Sequence, residues 1–360
     1  MFLALPVIAL LISFAILFSL CRPRYLTSKT ANPGKISIII PARDEEHNIS
    51  KLLTSIRSQS SQPLEILVID DQSIDQTAAV ARELGATVIL GKEMPAGWKG
   101  KTWACQQGAD AAVGEWYLFL DADITLLENG LAKLAALTSV KATHSICPFH
   151  RIESPYEQLS AFFNTITLAG VDTFAATPSS QGTLFGQVLL IHRDHYQKAG
   201  GHEAVKDEIL ENFQFAQRLK AQKYDVNLYL GKGTVEMRMF PQGFAQLTSS
   251  WKKGFLAGAA QSPRRALLTT SLWLTGGMML LVAFTLIPFG DSTFLLATLL
   301  CSFCYGFLSF FCFRLAGNFS LWTALLFPIP LLFYQLLFFK ALLDQKKGVK
   351  PIWKGRTIDS

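Results

Sequence analysis

What this chain lacks narrows its class first. No internal repeat and no low-complexity tract occurs in its 360 residues, which removes solenoid and array architectures. No GxGxxG follows the first strand-like run. Pro41-Ala42-Arg43-Asp44-Glu45-Glu46 stands there, and carboxylates are poorly suited to cradle a pyrophosphate, which argues against dinucleotide binding. The six cysteines make no secreted-type disulfide framework. Cys301 and Cys304 form a CxxC inside an apolar run, without His or a second pair, so they read as membrane packing and not as zinc or redox chemistry. The polar part of the chain is therefore expected to face a reduced cytosol. The net charge of +6 is no nucleic-acid footprint either. Arg22, Arg24, Lys29 and the cluster Lys346, Lys347, Lys350, Lys354 and Arg356 lie beside hydrophobic runs, as membrane-surface and orientation signals do.

What is present is apolar sequence at both ends: hydrophobic residues make up 50% of the chain, while residues 34–245 carry the mixed charge of a soluble domain. Residues 1–21 are almost wholly apolar and are followed by Arg22-Pro23-Arg24. Positive charge after the apolar core, not before it, predicts a retained transmembrane anchor with its C-terminal end in the cytosol, in place of a cleaved signal. Residues 246–266, with Trp251, Lys252, Lys253, Phe255 and Leu256, read as an interfacial amphipathic segment. Apolar segments follow at about 267–289, 293–313 and 321–339, then a basic cytosolic tail over 341–360. Positive flanks on both sides of residues 267–340 require an even number of crossings, so the last segment, with Pro328 and Pro330, is expected to be kinked or re-entrant. The expected location is a multi-pass cell-membrane protein with its polar domain in the cytoplasm.

Between the ends, short β-branched runs at 35–40, 64–69 and 86–90 alternate with helical spacing at 44–59 and 75–84, with Asp44 as the first helix cap. This order predicts a doubly wound α/β domain, whose ligands sit beyond the carboxyl ends of the strands. The basic loop 91–101 leads to a helix at 102–112 and a strand at 115–120. That strand ends in Asp121-Ala122-Asp123, hard oxygen donors suited to Mg2+ or Mn2+ shared with substrate phosphates. Taken alone, a DxD is equally a strand end with solvated acids. Further strands are expected at 143–149, 186–192, 225–230 and 234–240, with helices at 155–171 and 208–220.

Four segments in order carry a resemblance: Ile38-Ile39-Ile40-Pro41-Ala42-Arg43-Asp44-Glu45, Val68-Ile69-Asp70-Asp71-Gln72-Ser73-Ile74-Asp75, Gly100-Lys101-Thr102-Trp103-Ala104 and Phe119-Leu120-Asp121-Ala122-Asp123. The chain resembles the inverting GT-A glycosyltransferases of the large second family over roughly residues 35–240. The resemblance implies that Pro41, Arg43 and Glu45 line the nucleotide pocket and that Asp71 accepts from the uracil. Asp121, counted also among the catalytic residues, lies near the ribose and donor sugar, and Asp123 binds the metal on the diphosphate. Lys99 or Lys101 helps to neutralise the diphosphate, unless each is only a solvated loop lysine. In most of that family a Glu-Asp pair opens a late helix and its Asp is the general base. Here the stretch is Ile209-Leu210-Glu211-Asn212, and an amide cannot take the proton. That leaves Glu211, with Glu208 behind it, as the candidate base or simply as a carboxylate favoured by the helix dipole.

A narrower resemblance, carried by Gly200-Gly201-His202, Met237-Arg238-Met239-Phe240, Gly243-Phe244, Trp251 and Trp353-Lys354-Gly355-Arg356, is to the members of that family that esterify a C30 carotenoid carboxylate with glucose from UDP-glucose. The implied partners are a UDP-sugar, a lipophilic acceptor from the bilayer, membrane lipids and other enzymes of the same pathway, with no nucleic acid. Gln246 and Trp251 resemble part of the Gln-x-x-Arg-Trp signature of processive synthases, but the spacing differs and the Arg is absent. Phe162, Phe163, Phe174 and the segment from Trp251 to Leu256 are expected to line an apolar acceptor channel or, as is commoner, to be core. Two rival readings stay open: transfer to a lipid hydroxyl such as a hopanoid, sterol-like lipid or diacylglycerol, and a nucleotide-sensing transport or export scaffold.

Overall fold

The computed structural model describes residues 3–178, 183–207, 211–346, 352–353 and 356–357, with side chains outside 253–261 and beyond 344. The expectations placed on Glu208, Ile209, Leu210, Lys347, Lys350, Lys354 and Gly355, and on the side chains of Lys253, Phe255, Leu256, Lys346, Trp353 and Arg356, lie outside the described residues. The chain divides into two compact units, Met1–Pro23 with Arg151–Ser180 and Met239–Ser360, and Arg24–His150 with Gln181–Arg238. The second unit is thus interrupted at 151–180, where the sequence reading ran one domain through 34–245.

The strands of the second unit are β1 (Ile36–Ala42), β2 (Glu65–Asp70), β3 (Thr87–Leu90), β4 (Trp116–Leu120), β5 (Ile124–Leu126), β6 (Thr143–Cys147), β7 (Phe149–His150), β8 (Val188–His192), β9 (Val226–Leu230) and β10 (Val235–Met237). Seven of them form one sheet in the order β3-β2-β1-β4-β8-β6-β9. The first four are parallel, as short apolar runs joined by helical crossovers lead one to expect. Strand β8 runs antiparallel to both β4 and β6, so the sheet is mixed and not uniformly doubly wound. Its apolar run is read equally well in either direction, and hydrophobic pattern therefore could not reveal the reversal. A small sheet, β5-β10-β7, is built partly from a three-residue strand too short to leave a periodic signal.

Tight packing sets the height of the helices over this sheet. The helix Gly100–Ala111 lies against β1 and β2 with Gly108 at the contact, where a Cβ would stand 2.4 Å from Ile39 Cγ2 and 2.7 Å from Ile69 Cδ1. The first helix spans Glu46–Arg57 and begins two residues later than the sequence suggests. Asp44 is not its cap. It adopts a positive φ of 52° and turns its carboxylate to the Ile74 N–H at 2.9 Å, so that it ties two loops together instead.

The first unit is helical. The N-terminal apolar stretch is two helices, Ala4–Ser13 and Ile16–Leu20, joined by a turn in which Phe14, Ala15, Leu17 and Phe18 donate three residues back. At Ala4–Leu20 it falls short of the ~20 residues a bilayer needs, so the expected anchor is not established as a span. Apolar composition does not specify hydrogen-bond spacing, which is why the break was invisible. Arg264–Phe289 and Ser292–Ala316, 26 and 25 residues, are long and apolar enough to cross a membrane by length and composition. The last apolar segment is interrupted between Leu321–Leu325 and Pro328–Lys346, where proline withdraws an N–H from the helical ladder. Phe162, Phe163 and Phe174 are core and not an open channel: they are buried, with Phe162 against Trp273 at 4.7 Å and Phe163 stacked on Trp251 at 4.7 Å. Asp172, also buried, accepts both oxygens' worth of hydrogen bonds from Arg265 Nη2, each at 2.8 Å.

Gly108→Val adds a branched carbon with two methyl groups where two isoleucines already crowd. It is expected to destabilise the protein by about 1–3 kcal/mol, read as a lower urea midpoint for the purified chain. An unchanged midpoint would show that the helix–sheet contact is not tight.

Candidate active site

The loops after β1 and β2 are built as one piece. Asp44 N–H donates to Ser73 Oγ (3.0 Å), Glu45 N–H to Thr77 Oγ1 (2.8 Å) and Glu46 N–H to Asp75 Oδ2 (3.1 Å), while Gln76 N–H donates back to Glu46 Oε2 (3.1 Å). Asp44 and Gln72 both take left-handed backbone angles, so two positions of strained conformation are held by this reciprocal set. The result brings Arg43 Nη1 to 3.5 Å from Asp71 Oδ2, and Asp71 N–H donates to the Ala42 carbonyl at 2.8 Å. Glu45 is oriented by Asn48, whose Nδ2 donates to Oε2 at 2.7 Å.

Asp121 and Asp123 leave β4 in a turn in which Asp121 N–H donates to the Gln187 carbonyl (2.9 Å) and Ile124 N–H to the Asp121 carbonyl (3.2 Å). Asp121 Oδ1 pairs with Lys101 Nζ at 2.6 Å. Asp123 differs: its Oδ1 is buried with no hydrogen-bond partner among the described residues. Burial, then the charges of Asp121 and Glu45, push its carboxyl up to about 7 against the opposing pull of Lys101. Burial by itself would lower the Lys101 ammonium, but Asp121 and Glu211 outweigh it and hold the group above its ordinary value. A crowded carboxylate with an unshared buried oxygen is the environment a divalent cation relieves. Among the described residues no three His, Cys, Asp or Glu side chains form a metal cage, so a cation at Asp123 would draw its remaining ligands from phosphate oxygens and water.

Across from Lys101 the helix Glu211–Ala221 opens with Glu211 and Asn212, and Asn212 Nδ2 donates to Glu211 Oε1 at 3.1 Å. Gly186 gives the amide its room, since a Cβ there would lie 2.4 to 2.7 Å from the Asn212 side chain. Pro41, Lys101, Asp121, His202, Glu211 and Asn212 all line one cavity of about 10 Å3. Lys99 stands at the cap of its helix, with Thr102 Oγ1 donating to its carbonyl at 2.9 Å. Several cavity residues were not singled out from sequence as site residues, and two of them are titratable, Cys105 and His202. Cys105 is an inert thiol, pushed up to about 12 chiefly by burial. His202 is pushed down to about 3 by burial and then by Lys101, so its ring is neutral. The adjoining Gly200-Gly201 was the available signal, because both adopt positive φ, 86° and 60°.

With this geometry in view, comparison with known proteins is informative. Residues 37–159 match the model for glycosyl transferase family 2, and residues 116–338 match that for glycosyl transferase family group 2. The chain is similar to a Staphylococcus aureus (strain MRSA252) protein named 4,4'-diaponeurosporenoate glycosyltransferase, at 31% identity over 350 residues covering 93% of this chain and 92% of the relative. It is also similar to the protein of that name from Staphylococcus haemolyticus (strain JCSC1435), at 35% identity over 249 residues, 67% of this chain and 66% of the relative. Among solved structures, a mannosyltransferase from Pyrobaculum calidifontis in complex with GDP-Man and Mn2+ has a TM-score of 0.51 at 16% identity, covering 96% of this chain and 100% of that one. That likeness is one of fold, an α/β arrangement of the GT-A type.

The interlocked loops make a pH-dependent expectation. Asp75 accepts from Thr77 N–H, Thr77 Oγ1 and Glu46 N–H. Burial raises its carboxyl, but these bonds together prevail and lower it. A depressed carboxylate stabilises the fold fully above the unfolded value of about 4 and loses that contribution as pH falls through the lower folded value. Asp75→Ala is expected to cost about 2 kcal/mol at pH 7, with the difference from wild type shrinking below pH 4 in thermal melts. A difference that stays constant with pH would remove the charged hydrogen bonds as its cause.

Proposed function

The chain belongs to glycosyl transferase family 2 and is a glycosyltransferase, and from that premise we propose that it moves glucose from UDP-glucose, with inversion, to the carboxylate of a C30 carotenoid acid, forming a glycosyl ester. The observation that carries this reading is the Glu211–Asn212 pair, in which the second residue is an amide that donates to the first. A hydroxyl acceptor needs a base to take its proton as it attacks, a service worth roughly 10²–10⁴ in rate. A carboxylic acid is already ionised at pH 7, so a site with an amide at this position suits it. The similarity to the two staphylococcal proteins over much of the chain supports the same acceptor class.

In this reading Pro41, Arg43, Glu45 and Asp71 hold the nucleoside, with Asp71 accepting from the uracil and Arg43 fixing the Asp71 carboxylate. Asp121 orients the ribose and donor sugar, and Lys101 offers its charge to the diphosphate. Asp123 holds Mg2+ or Mn2+, which when bound supplies charge to stabilise the departing diphosphate. Glu211 borders the acceptor and is not required to take a proton. The acceptor enters from a membrane. On Ser292–Ala316 the exposed residues Leu296, Leu299, Leu300, Phe303, Phe307 and Phe311 recur at helical spacing and offer lipid an apolar face. The catalytic unit lies on the cytoplasmic side, where the nucleotide sugar is available.

Purified protein given UDP-glucose is expected to glycosylate a C30 carotenoid acid to a product that mass spectrometry shows one hexose heavier and that alkali cleaves. A hexosylated hopanoid, sterol-like lipid or diacylglycerol, with the acid untouched, would replace this reading with the hydroxyl one. Glu211→Gln should lower transfer to the acid by less than about tenfold, and loss on the order of 10³ with UDP-glucose binding intact would restore Glu211 as an obligatory base. For the metal, Mn2+ must displace a proton from Asp123, so its stabilisation of the protein is expected to grow from pH 6 to pH 8 and to vanish in Asp123→Asn. A pH-independent shift in thermal midpoint, or one retained in the variant, would place the ion elsewhere.

A further inference from the structure

His202 lies in the cavity with Glu211 but has no part in the scheme above. Its Nδ1 is 2.9 Å from the Tyr196 hydroxyl, and its backbone N–H donates to the same hydroxyl at 3.1 Å. Tyr196 therefore accepts once from His202 and has one proton to give. Of its two acceptors, Gln106 Oε1 is the more distant at 3.2 Å and already receives the Glu203 N–H at 3.1 Å, while Gln106 Nε2 is committed to Asp110 at 2.8 Å. Every group is satisfied when the phenol proton goes to Nδ1. The ring's own proton then sits on Nε2, the nitrogen with no partner in the fold among the described residues.

The ring is also held in position by packing. Phe215 stacks on it at 5.8 Å and 11°, and Phe119 meets it edge-on at 5.0 Å and 67°. Phe215 follows Glu211 by four residues on one helix, so the stacked ring and the carboxylate are carried on the same helical face. Glycine is required at 201 for this: with φ at 60°, a Cβ would stand 2.7 Å from Gln106 Oε1 and 3.0 Å from the Tyr196 ring. Of the two carboxylates lining the cavity, Asp121 uses Oδ1 on Lys101 and Glu211 uses Oε1 on Asn212. The cavity, about 10 Å3, is the size that admits a single water.

We propose that His202 is a positioning residue of the transfer site, a neutral imidazole whose Nδ1 accepts a hydrogen bond from the Tyr196 hydroxyl and whose Nε2–H is offered to the second carboxylate oxygen of Glu211, directly or through one water. It fixes the carboxylate that borders the acceptor without moving a proton itself. Its neutrality agrees with the burial that holds it far below the usual histidine range. This rests on the reading of the cavity as the transfer site but not on which acceptor is used.

Two measurements test it. In 15N NMR of histidine-labelled full-length protein in detergent, the signal missing from His202→Gln is expected to report the Nε2–H tautomer. A signal showing Nδ1–H, or an imidazolium at pH 7, overturns the proposal whatever the acceptor proves to be. The second is kinetic. A glutamine amide nitrogen stands near Nε2 and an asparagine amide nitrogen near Nδ1. With the acceptor that wild type turns over, His202→Gln should keep most of kcat and His202→Asn should lose about fivefold, with KM for UDP-glucose unchanged in both. In a Glu211→Gln background the Asn substitution should cost less than about twofold. Asn performing as well as Gln, or the same loss in both backgrounds, assigns His202 only the structural task of holding Tyr196. An absence of wild-type turnover with any acceptor would count against the transfer reading, and the tautomer still decides this one.

Discussion

Like charge is the constraint on which the catalytic unit is built. Glu45, Asp71, Asp121, Asp123 and Glu211 are brought toward the carboxyl edge of one sheet, and a carboxylate loses much of its tolerance for neighbours once water is removed. The 2.6 Å contact from Lys101 to Asp121 is the chain's principal answer, and the same ammonium also lies within the field of Glu211. Arg43 answers for Asp71 and the Asn212 amide for Glu211. Asp123 keeps a buried carboxylate oxygen without a partner among the described residues. The candidate site is therefore electrostatically incomplete at that atom, which is where the proposed scheme puts a cation.

Placing Lys101 depends on packing well away from it. The lysine is in the first turn of the helix Gly100–Ala111, and the height of that helix is set two turns later by Gly108 against Ile39 and Ile69. Those isoleucines belong to β1 and β2, the strands whose ends carry Pro41 and Asp70-Asp71. One glycine thus registers the ammonium against both the loops after β1 and β2 and the DxD turn. Left-handed Asp44 is held by hydrogen bonds in both directions across the loops, its N–H to Ser73 Oγ and the Ile74 N–H to its carboxylate, and left-handed Gln72 stands next to those partners. A polar network of this kind is favourable only when every member is satisfied, which accounts for Ser73, Asp75 and Thr77, whose side chains brace the loops and touch no substrate in the proposed scheme.

The helical unit follows a different economy of contacts. Its buried aromatic residues, Phe162, Trp273, Tyr305 and Phe313, surround hydroxyl and carbonyl groups that they satisfy locally, as when Trp273 Nε1 donates to Ser309 and Tyr305 donates to the Trp273 carbonyl. A buried Asp172 is admissible there because Arg265 grips it. Apolar segments in the sequence marked the extent of this unit at each end, but they did not reveal that 151–180 joins it. Those residues contain a helix of mixed polarity, and its side in a two-unit chain depends on contacts made far along the sequence.

The sequence by itself determined the four parallel strands, because short apolar runs separated by helical spacing are legible locally, and it determined the acidic residues that follow three of them and the family they resemble. Strand direction at β8, the three-residue β5 and the break at Phe14 were decided only in three dimensions, since hydrophobic pattern carries neither direction nor hydrogen-bond spacing. The same holds within the site. That Lys101 reaches Asp121 and that Asp44 braces a loop instead of capping a helix depend on segments tens of residues apart meeting at hydrogen-bonding distance, and His202 and Glu211 meet Lys101 and Asp121 in one cavity for the same reason. Residue type could announce the chemistry; only the packing of those segments could say which charges face each other.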